Sequence, residues 1–221
     1  MRGTNPIRKP VQGDGASLDV QSIFATLQGE GPYAGWPAIF IRLGGCNLAC
    51  SFCDTEFESF RAMTLNEIMA QVQSHAAHGA YRLIVITGGE PLRQPIAPLC
   101  DALIGAGYRV QLESNGTLWR ELPDGVEIIC SPKHTGGGYH AIRPDMLSRT
   151  QALKFLISAS QPGYGDVPDF ARQAPHIPIY VQPMDEMDAQ KNAANRALAV
   201  QLAQSGGYRL SLQLHKILGI E

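Results

Sequence analysis

The sequence predicts an α/β fold, an open partial (β/α) barrel with about six parallel core strands and few full helices. Several short runs are apolar without interruption, as in strands buried on both faces of a parallel sheet, and residues 83–87 are the clearest example. Small or polar residues follow most of these runs. In parallel β/α barrels the ligand site lies at the carboxyl ends of the strands, so these residues should meet at one site. Strong helical patterns are fewer than strands, so several crossovers should be loops or short turns.

Short apolar runs place predicted strands along almost the whole chain. They cover residues 18–24, 38–43, 83–87, 108–113, 126–130, 152–157, 177–181 and 208–212. The spacing and composition of other segments predict three longer helices, over residues 64–78, 96–104 and 188–204. Thr64 followed by Glu67 has the pattern of a capping box, so the first of these helices should begin there.

Composition indicates one domain of enzyme size. The chain has 221 residues, enough for one buried core and few for two. We predict a flexible tail over residues 1–17, which hold few large apolar groups, and a single domain over residues 18–221. A net charge of −2 without a long basic run argues against nucleic acid as a partner. The absence of a membrane-length apolar run and of a signal-peptide core, together with isolated cysteines, favours a cytoplasmic location.

Cys46, Cys50 and Cys53 lie close together in the pattern C-x3-C-x2-C. Thiolate is the usual protein ligand of iron–sulfur clusters, so these three can hold three irons of a 4Fe-4S cluster and leave the fourth open. A structural zinc site is an alternative, but it needs four ligands. The nearest candidates, His75 and His78, are more than 20 residues beyond Cys53 and are predicted on the surface at a helix end. Inert thiols, or a disulfide with one thiol left over, are the remaining alternatives.

A second motif, Gly88-Gly89-Glu90-Pro91, follows the strand over residues 83–87. Its glycines let a ligand approach the backbone, and its carbonyl groups and the Glu90 carboxylate can accept hydrogen bonds from an ammonium group. On its own this tetrapeptide is also a common turn. Arg42 is the one charge in an apolar strand and needs a partner, either a ligand or a structural salt bridge. The glycine-rich loop at residues 136–138 lacks the lysine spacing of a phosphate-binding loop and is predicted to be flexible.

These two motifs, one βα unit apart, resemble the hallmarks of the radical S-adenosylmethionine superfamily. The resemblance extends over residues 18–221 to the 7-carboxy-7-deazaguanine synthase family, through short motifs at residues 27–31, 52–55, 87–91, 113–117, 131–133, 182–183 and 215–216. It implies a fold of the radical S-adenosylmethionine type and a carbon–nitrogen lyase of queuosine (7-deazapurine) biosynthesis. The implied reaction contracts the ring of 6-carboxy-5,6,7,8-tetrahydropterin to 7-carboxy-7-deazaguanine with loss of ammonia.

The resemblance also implies residue roles. The 4Fe-4S cluster would be held by Cys46, Cys50 and Cys53, and Mg²⁺ by Thr55. The S-adenosyl-L-methionine site would comprise Phe52, Cys53, Asp54, Gly89, Glu90, Ser131, Pro132, Lys133, Gln182, Pro183, Met184 and Asp185. The pterin site would comprise Leu27, Gln28, Gly29, Glu30, Arg42, Thr87, His215 and Glu221. Beyond the cofactor and cluster, no separate catalytic residue is implied. Arg42 suits the pterin carboxylate, since a guanidinium binds carboxylate in a bidentate way.

The end of the chain carries one more expectation. Ile217, Leu218 and Ile220 are apolar, so the C-terminus should be docked, and we hypothesise that the terminal carboxylate of Glu221 binds the pterin. Leu214 and Gly219 depart from the family pattern, where threonine and asparagine are expected. The resemblance further implies a homodimer and an electron donor such as flavodoxin. A glycyl-radical activase and a zinc-binding interaction module are the alternative functions.

Overall fold

The computed structural model describes residues 5–220, and the strands in this range form one nine-stranded sheet. The strand order across the sheet is β3-β1-β2-β4-β5-β6-β7-β8-β9. Strands β2 and β4 to β9 run parallel, whereas β1 pairs antiparallel with both β2 and β3. The strands are β1 (Ser17–Leu27), β2 (Pro37–Leu43), β3 (Arg61–Thr64), β4 (Leu83–Gly88), β5 (Arg109–Ser114), β6 (Val126–Cys130), β7 (Thr150–Ile157), β8 (Ile179–Pro183) and β9 (Arg209–Leu210). The predicted open, mainly parallel α/β architecture is confirmed.

Three of the helices are long, and all three were predicted. The helices are α1 (Leu65–Ala76), α2 (Ala97–Gly105), α3 (Pro144–Arg149), α4 (Asp169–Arg172), α5 (Ala189–Gly206) and α6 (Leu214–Leu218). Among residues 5–220, no helix is both long enough and apolar enough to cross a membrane.

Helix α1 begins at the predicted capping box. The Thr64 hydroxyl accepts a hydrogen bond from the Glu67 backbone N–H at 3.3 Å, and the Glu67 carboxylate accepts one from the Thr64 N–H at 2.7 Å. These bonds satisfy backbone donors that a helix start otherwise leaves unpaired. The helix buries Ile68 and Val72 against the sheet. His75 is partly buried near the end of this helix and bonds the Ile23 carbonyl oxygen, whereas the exposed His78 lies two residues beyond Ala76, so the predicted surface position is confirmed for His78 only.

The two faces of the sheet have different roles, and strand β2 illustrates this. Ile39, Ile41 and Leu43 are fully buried and belong to the main hydrophobic core, which also includes buried residues of α1, α2 and α5. The alternating positions Phe40 and Arg42 line a cavity on the opposite face. Successive side chains of a strand point to opposite faces, so the open barrel encloses this cavity while its outer face packs against the helices.

Residues 5–16 differ from the predicted flexible tail, because they contact the domain. The Val11 N–H donates to the Arg93 carbonyl oxygen at 2.7 Å, and Ile7 forms a parallel bridge with Cys46. Backbone and polar groups make these contacts. The scarcity of large apolar residues, from which the flexible tail was predicted, therefore gave no sign of them. Ser17 already belongs to β1.

Candidate active site

A cavity of about 550 Å³ opens at the carboxyl ends of the central parallel strands. The motifs predicted to form the site meet there, because β2, β4, β5, β6, β7 and β8 run in the same direction. Predicted site residues that line it are Leu27, Gln28, Glu30, Arg42, Cys46, Cys50, Phe52, Cys53, Asp54, Thr55, Thr87, Gly89, Ser131, Lys133, Gln182, Met184, Asp185 and His215. Gly29, Glu90, Pro132 and Pro183 are not among its lining residues. Glu221 lies outside the described residues.

The three cysteines of the motif lie on the cysteine loop, residues 46–58, which joins β2 to β3 without regular helix or strand. All three line the cavity, and none is in a disulfide. Burial is the main reason that the pKa of the Cys46 thiol is raised to about 12, with smaller contributions from the charges of Glu90, Cys50 and Cys53. Among residues 5–220, no three Cys, His, Asp or Glu side chains converge tightly enough to hold a single metal ion.

The donor set fits a cluster better than a single ion. Three cysteines on one loop, beside a cavity, supply soft thiolate ligands and leave room for a non-protein ligand, which is the arrangement that suits a cubane cluster with one open iron. His75 lies on α1 and His78 just beyond it, and neither is among the cavity-lining residues, so this pair offers no histidine to complete a zinc site.

The Gly-Gly-Glu-Pro motif positions β4 against the start of the cysteine loop. A Cβ atom on Gly89 would lie only 2.0 Å from the Gly45 carbonyl oxygen, and one on Gly88 only 2.1 Å from the Leu43 carbonyl oxygen. Contacts this close exclude any larger residue, so the glycines are required for packing. Gly89 also lines the cavity.

Glu90 differs from its predicted role as a cavity-facing acceptor. Its side chain is fully buried and accepts hydrogen bonds from the Leu92 N–H, the Ser114 hydroxyl and the Asn115 N–H at 3.1, 2.9 and 2.7 Å. Burial raises the pKa of the Glu90 carboxyl to about 7, against the effect of these donors. Glu90 therefore ties the end of β4 to the end of β5, and its location corrects the prediction of direct ligand contact.

The predicted S-adenosylmethionine residues surround the cysteine loop. Phe52 packs edge-on against Tyr164 with ring centroids 5.1 Å apart. The Lys133 ammonium donates to the Ser131 hydroxyl at 2.5 Å, and burial lowers the pKa of Lys133. These contacts fix an aromatic ring and a cation beside the cysteines.

Lys216 forms ion pairs with two of the predicted S-adenosylmethionine residues, Asp54 and Asp185. Its ammonium lies 2.5 Å from the Asp54 carboxylate on the cysteine loop and 3.0 Å from the Asp185 carboxylate beyond β8. The histidine–lysine pair near the chain end was recognised from the sequence, but only His215 was given a role. Lys216 lines the cavity as well.

A buried lysine, Lys154, lines the cavity beside the predicted pterin residue Glu30, and it was not among the predicted site residues. The Lys154 ammonium donates to the Glu30 carboxylate at 2.6 Å and to the Glu113 carboxylate at 2.9 Å, and the lysine side chain is only 6% exposed. Burial alone would raise the pKa of Glu30, but the Lys154 charge and hydrogen bond lower it to about 2. The lone lysine in the otherwise apolar stretch of β7 was the signal that could have identified this residue.

Gly29 contributes by making room for His215. A Cβ atom on Gly29 would lie 2.4 Å from the His215 ring, and the Gly29 carbonyl oxygen accepts the Leu214 N–H at 3.1 Å. The loop after β1 therefore docks directly against α6. Burial lowers the pKa of His215.

Arg42 projects into the cavity beside an aromatic pair. Phe24 and Phe40 stack with centroids 5.4 Å apart, and the Arg42 guanidinium lies 5.6 Å from the Phe24 ring centroid. Arg42 is paired in register with Thr87 on β4, so both side chains are fixed by the same strand pair. This side of the cavity combines apolar ring faces with one cation.

Comparisons with known proteins show which family this chain resembles. The model of the Radical SAM superfamily matches residues 40–157. The 7-carboxy-7-deazaguanine synthase of Rickettsia prowazekii is 51% identical to this chain and covers 100% of it, with 96% of its own length aligned. The enzyme of the same name from Rhodospirillum rubrum is 42% identical, with both chains covered completely. The crystal structure of QueE from Escherichia coli matches with a TM-score of 0.74 and 26% identity, over 89% of this chain and 94% of that one.

The chain therefore belongs to the radical SAM superfamily. Full-length identity of 51% to a curated relative places it more narrowly. Within the superfamily it belongs to the 7-carboxy-7-deazaguanine synthase family.

Proposed function

We propose that this protein is a 7-carboxy-7-deazaguanine synthase, a lyase that contracts the ring of 6-carboxy-5,6,7,8-tetrahydropterin and releases ammonia in queuosine biosynthesis. The observation that carries the proposal is the single cavity that brings the three motif cysteines together with Arg42 and Glu30. A cluster site alone would fit many radical enzymes. The Arg42 guanidinium matches the carboxylate of a carboxypterin, and the ionised Glu30 carboxylate matches its N–H donors.

The resident groups in this proposal are a 4Fe-4S cluster and S-adenosyl-L-methionine. Cys46, Cys50 and Cys53 would hold the cluster, and Phe52, Lys133 and neighbouring residues would hold S-adenosylmethionine. When bound, these groups supply radical chemistry that removes a hydrogen atom from the substrate. Lys133 suits the methionine carboxylate, because its ammonium lies in the cavity within electrostatic reach of Cys50.

The contribution of the chain is to bind and orient the pterin and to exclude water. Arg42 would bind the substrate carboxylate, and the Phe24–Phe40 pair beside it offers an apolar surface for the ring. Glu30 has a pKa near 2 and is ionised at neutral pH, so it would accept N–H donors of the pyrimidine edge. Gln28 is held against the Glu30 backbone N–H at 3.1 Å, which fixes its amide at the same edge.

The proposal is tested by the product. The protein is reconstituted anaerobically with iron and sulfide and incubated with S-adenosylmethionine, a reductant, Mg²⁺ and the carboxypterin, and mass spectrometry follows the base formed. We expect 7-carboxy-7-deazaguanine and an equal amount of ammonia, with neither formed when S-adenosylmethionine is omitted. An iron-loaded protein that cleaves S-adenosylmethionine but leaves the pterin unchanged would contradict the proposal and favour another radical enzyme, such as a glycyl-radical activase.

Mg²⁺ is the third group in the proposal, and Thr55 is its proposed protein ligand. Thr55 lies two positions beyond Cys53 and lines the cavity. Its hydroxyl is 3.4 Å from the Asp54 carboxylate. Mg²⁺ commonly keeps several waters and shares its remaining positions with substrate oxygens, so a single protein hydroxyl is a sufficient anchor.

Replacing Thr55 with alanine is expected to shift the Mg²⁺ dependence of turnover to concentrations about tenfold higher, the loss expected for one ligand contact of ~1.4 kcal/mol. Binding of S-adenosylmethionine should change little. The measurement is turnover against Mg²⁺ concentration, and Thr55→Ser, which keeps the hydroxyl, is the matched control. A titration curve identical to that of the unmodified protein would mean that Thr55 is only a turn residue.

The proposal extends to partners and location. An external one-electron donor such as flavodoxin is proposed as a partner, because the cluster of a radical S-adenosylmethionine enzyme must receive an electron before it can cleave the cofactor. Ile217, Leu218 and Ile220 are 66%, 58% and 40% exposed, so these side chains are not docked as predicted. A homodimer is proposed because they and Leu210 leave apolar surface exposed near the chain end. A cytoplasmic location is proposed because the five cysteines are free thiols.

A further inference from the structure

We propose that residues 5–11 form an N-terminal strap that holds the cysteine loop in place, and that Asn5 and Arg8 are its positioning residues. The inference rests on the proposed function, because it concerns the loop that would carry the 4Fe-4S cluster. None of the motifs that carry the family resemblance includes the strap, which lies upstream of residue 18.

The strap bonds the cysteine loop at both of its ends. The Arg8 N–H donates to the Cys46 carbonyl oxygen at 2.7 Å, and Ile7 and Cys46 form a parallel bridge. At the other end, the Asn5 side-chain amide donates to the Thr55 carbonyl oxygen at 3.0 Å and lies 3.9 Å from the Cys53 sulfur. The first and last cysteines of the motif are therefore fixed to the same short segment.

A third contact holds the loop beyond its last cysteine. The Arg8 guanidinium donates to the Glu58 carboxylate at 2.8 and 2.5 Å and lies 5.3 Å from the Phe60 ring centroid. Both guanidinium bonds go to one carboxylate oxygen, which restricts the loop near residue 58. Residues 47–60 contain no regular helix or strand, so external contacts of this kind determine the conformation of the loop.

The strap is itself anchored to a rigid part of the domain. Arg93, two residues beyond the Gly-Gly-Glu-Pro motif, is only 4% exposed. Its carbonyl oxygen accepts the Val11 N–H at 2.7 Å, and its guanidinium donates to the carbonyl oxygens of Lys9 and Gly44 at 3.3 and 2.9 Å. Arg120 also donates to the Val11 carbonyl oxygen. The strap thus connects the cysteine loop to the segment that follows β4.

Few apolar groups support the strap, and this separates its role from general stabilisation. Ile7 is 68% exposed, and the side chains of Arg8 and Lys9 are on the surface. Because the strap buries almost none of the hydrophobic core, its loss should loosen the cysteine loop without unfolding the domain.

The test uses the double substitution Asn5→Leu with Arg8→Ala, and Lys9→Ala is the matched control. The Lys9 control removes a neighbouring exposed cation whose backbone carbonyl, not its side chain, contacts the domain. Hydrogen exchange of residues 46–58 is measured in the iron-free protein, and the decay of cluster absorbance in air is measured in the reconstituted protein. We expect about tenfold faster exchange and about tenfold faster cluster loss in the double variant, because it loses the Asn5 hydrogen bond to the Thr55 carbonyl oxygen and the Arg8–Glu58 ion pair, and no change in the control.

Two results would overturn the strap proposal. One is exchange and cluster loss at the rates of the unmodified protein. The other is a lower melting temperature of the iron-free double variant together with faster exchange throughout the domain. That result would make the strap a general stabiliser. Failure of the proposed function would look different, because the unmodified protein would then form no deazapurine from the carboxypterin, while the exchange of the loop still responded to the substitutions.

Discussion

Cys50→Ala is expected to contain no stable 4Fe-4S cluster after reconstitution and to have no detectable turnover. Three thiolates are the minimum that a cluster with one open iron requires from the chain, and Cys46, Cys50 and Cys53 are the cysteines that line the cavity. Removing one leaves two irons without protein ligands instead of one. Cys46→Ala and Cys53→Ala should behave in the same way. The measurements are iron and sulfide content, cluster absorbance and formation of the deazapurine product.

The chain supplies its own controls for this result. Cys100 on α2 and Cys130 on β6 are fully buried, and both pack in the main hydrophobic core. Cys100→Ala and Cys130→Ala should keep the cluster and turnover while losing about 1 kcal/mol of stability each, because each leaves a small cavity. A full complement of iron in Cys50→Ala, or loss of the cluster in Cys100→Ala, would contradict the assignment.

The fold was predictable from the sequence where local pattern and burial agree. The apolar runs of β2, β4 and β6 and the capping box of α1 lie within a residue or two of their predicted positions. Short elements were missed. Strand β3, Arg61–Thr64, has one buried residue in four and no apolar pattern, and it forms because β1 extends to pair with it. Helices α3 and α4 have six and four residues, too few for a helical period to show.

The site was predictable at the level of motifs and less so at the level of side-chain direction. Glu90 was correctly placed in a motif at the end of β4, yet its carboxylate turns to the end of β5, because the buried Ser114 hydroxyl and Asn115 N–H there need an acceptor. The contacts of the N-terminal strap combine backbone carbonyl and N–H groups with the side chains of Asn5 and Arg8, whose partners lie about 50 residues away, so composition could not indicate them. Lys154 shows the same limit, because the partners of a buried charge come from distant parts of the chain.

Lys154→Met is expected to be destabilised by about 3 kcal/mol at neutral pH, because it leaves Glu30 and Glu113 partly buried without their counter-ion. Methionine has a similar volume, so packing changes little. Without the lysine, the Glu30 and Glu113 carboxylates would no longer be held in fixed positions. Glu30 would then bind the pterin less well, and the KM for the carboxypterin should rise. The matched control is Lys191→Met. Lys191 is half-exposed and lies 3.7 Å from its partner carboxylate, so this change should cost less than about 1 kcal/mol.

The pH dependence gives the Lys154 result its specific signature. In the unmodified protein Glu30 has a pKa of about 2, below its ordinary value of 4.5. Its ionised form therefore stabilises the fold above pH 4.5, and this contribution is lost only as the pH falls toward 2. In Lys154→Met, burial without a counter-ion should raise the pKa of Glu30 above 4.5, so stability should fall as the pH rises through that range.

The difference in unfolding free energy between Lys154→Met and the unmodified protein should therefore be largest near pH 7.5 and smaller at pH 5. Urea unfolding of the iron-free proteins at the two pH values measures it, since acid would release the cluster from a loaded protein. A deficit of the same size at both pH values would mean that the ammonium does not hold Glu30 and Glu113 ionised. The loss would then come from the packing of the methionine side chain, and the proposed electrostatic role of Lys154 would be wrong.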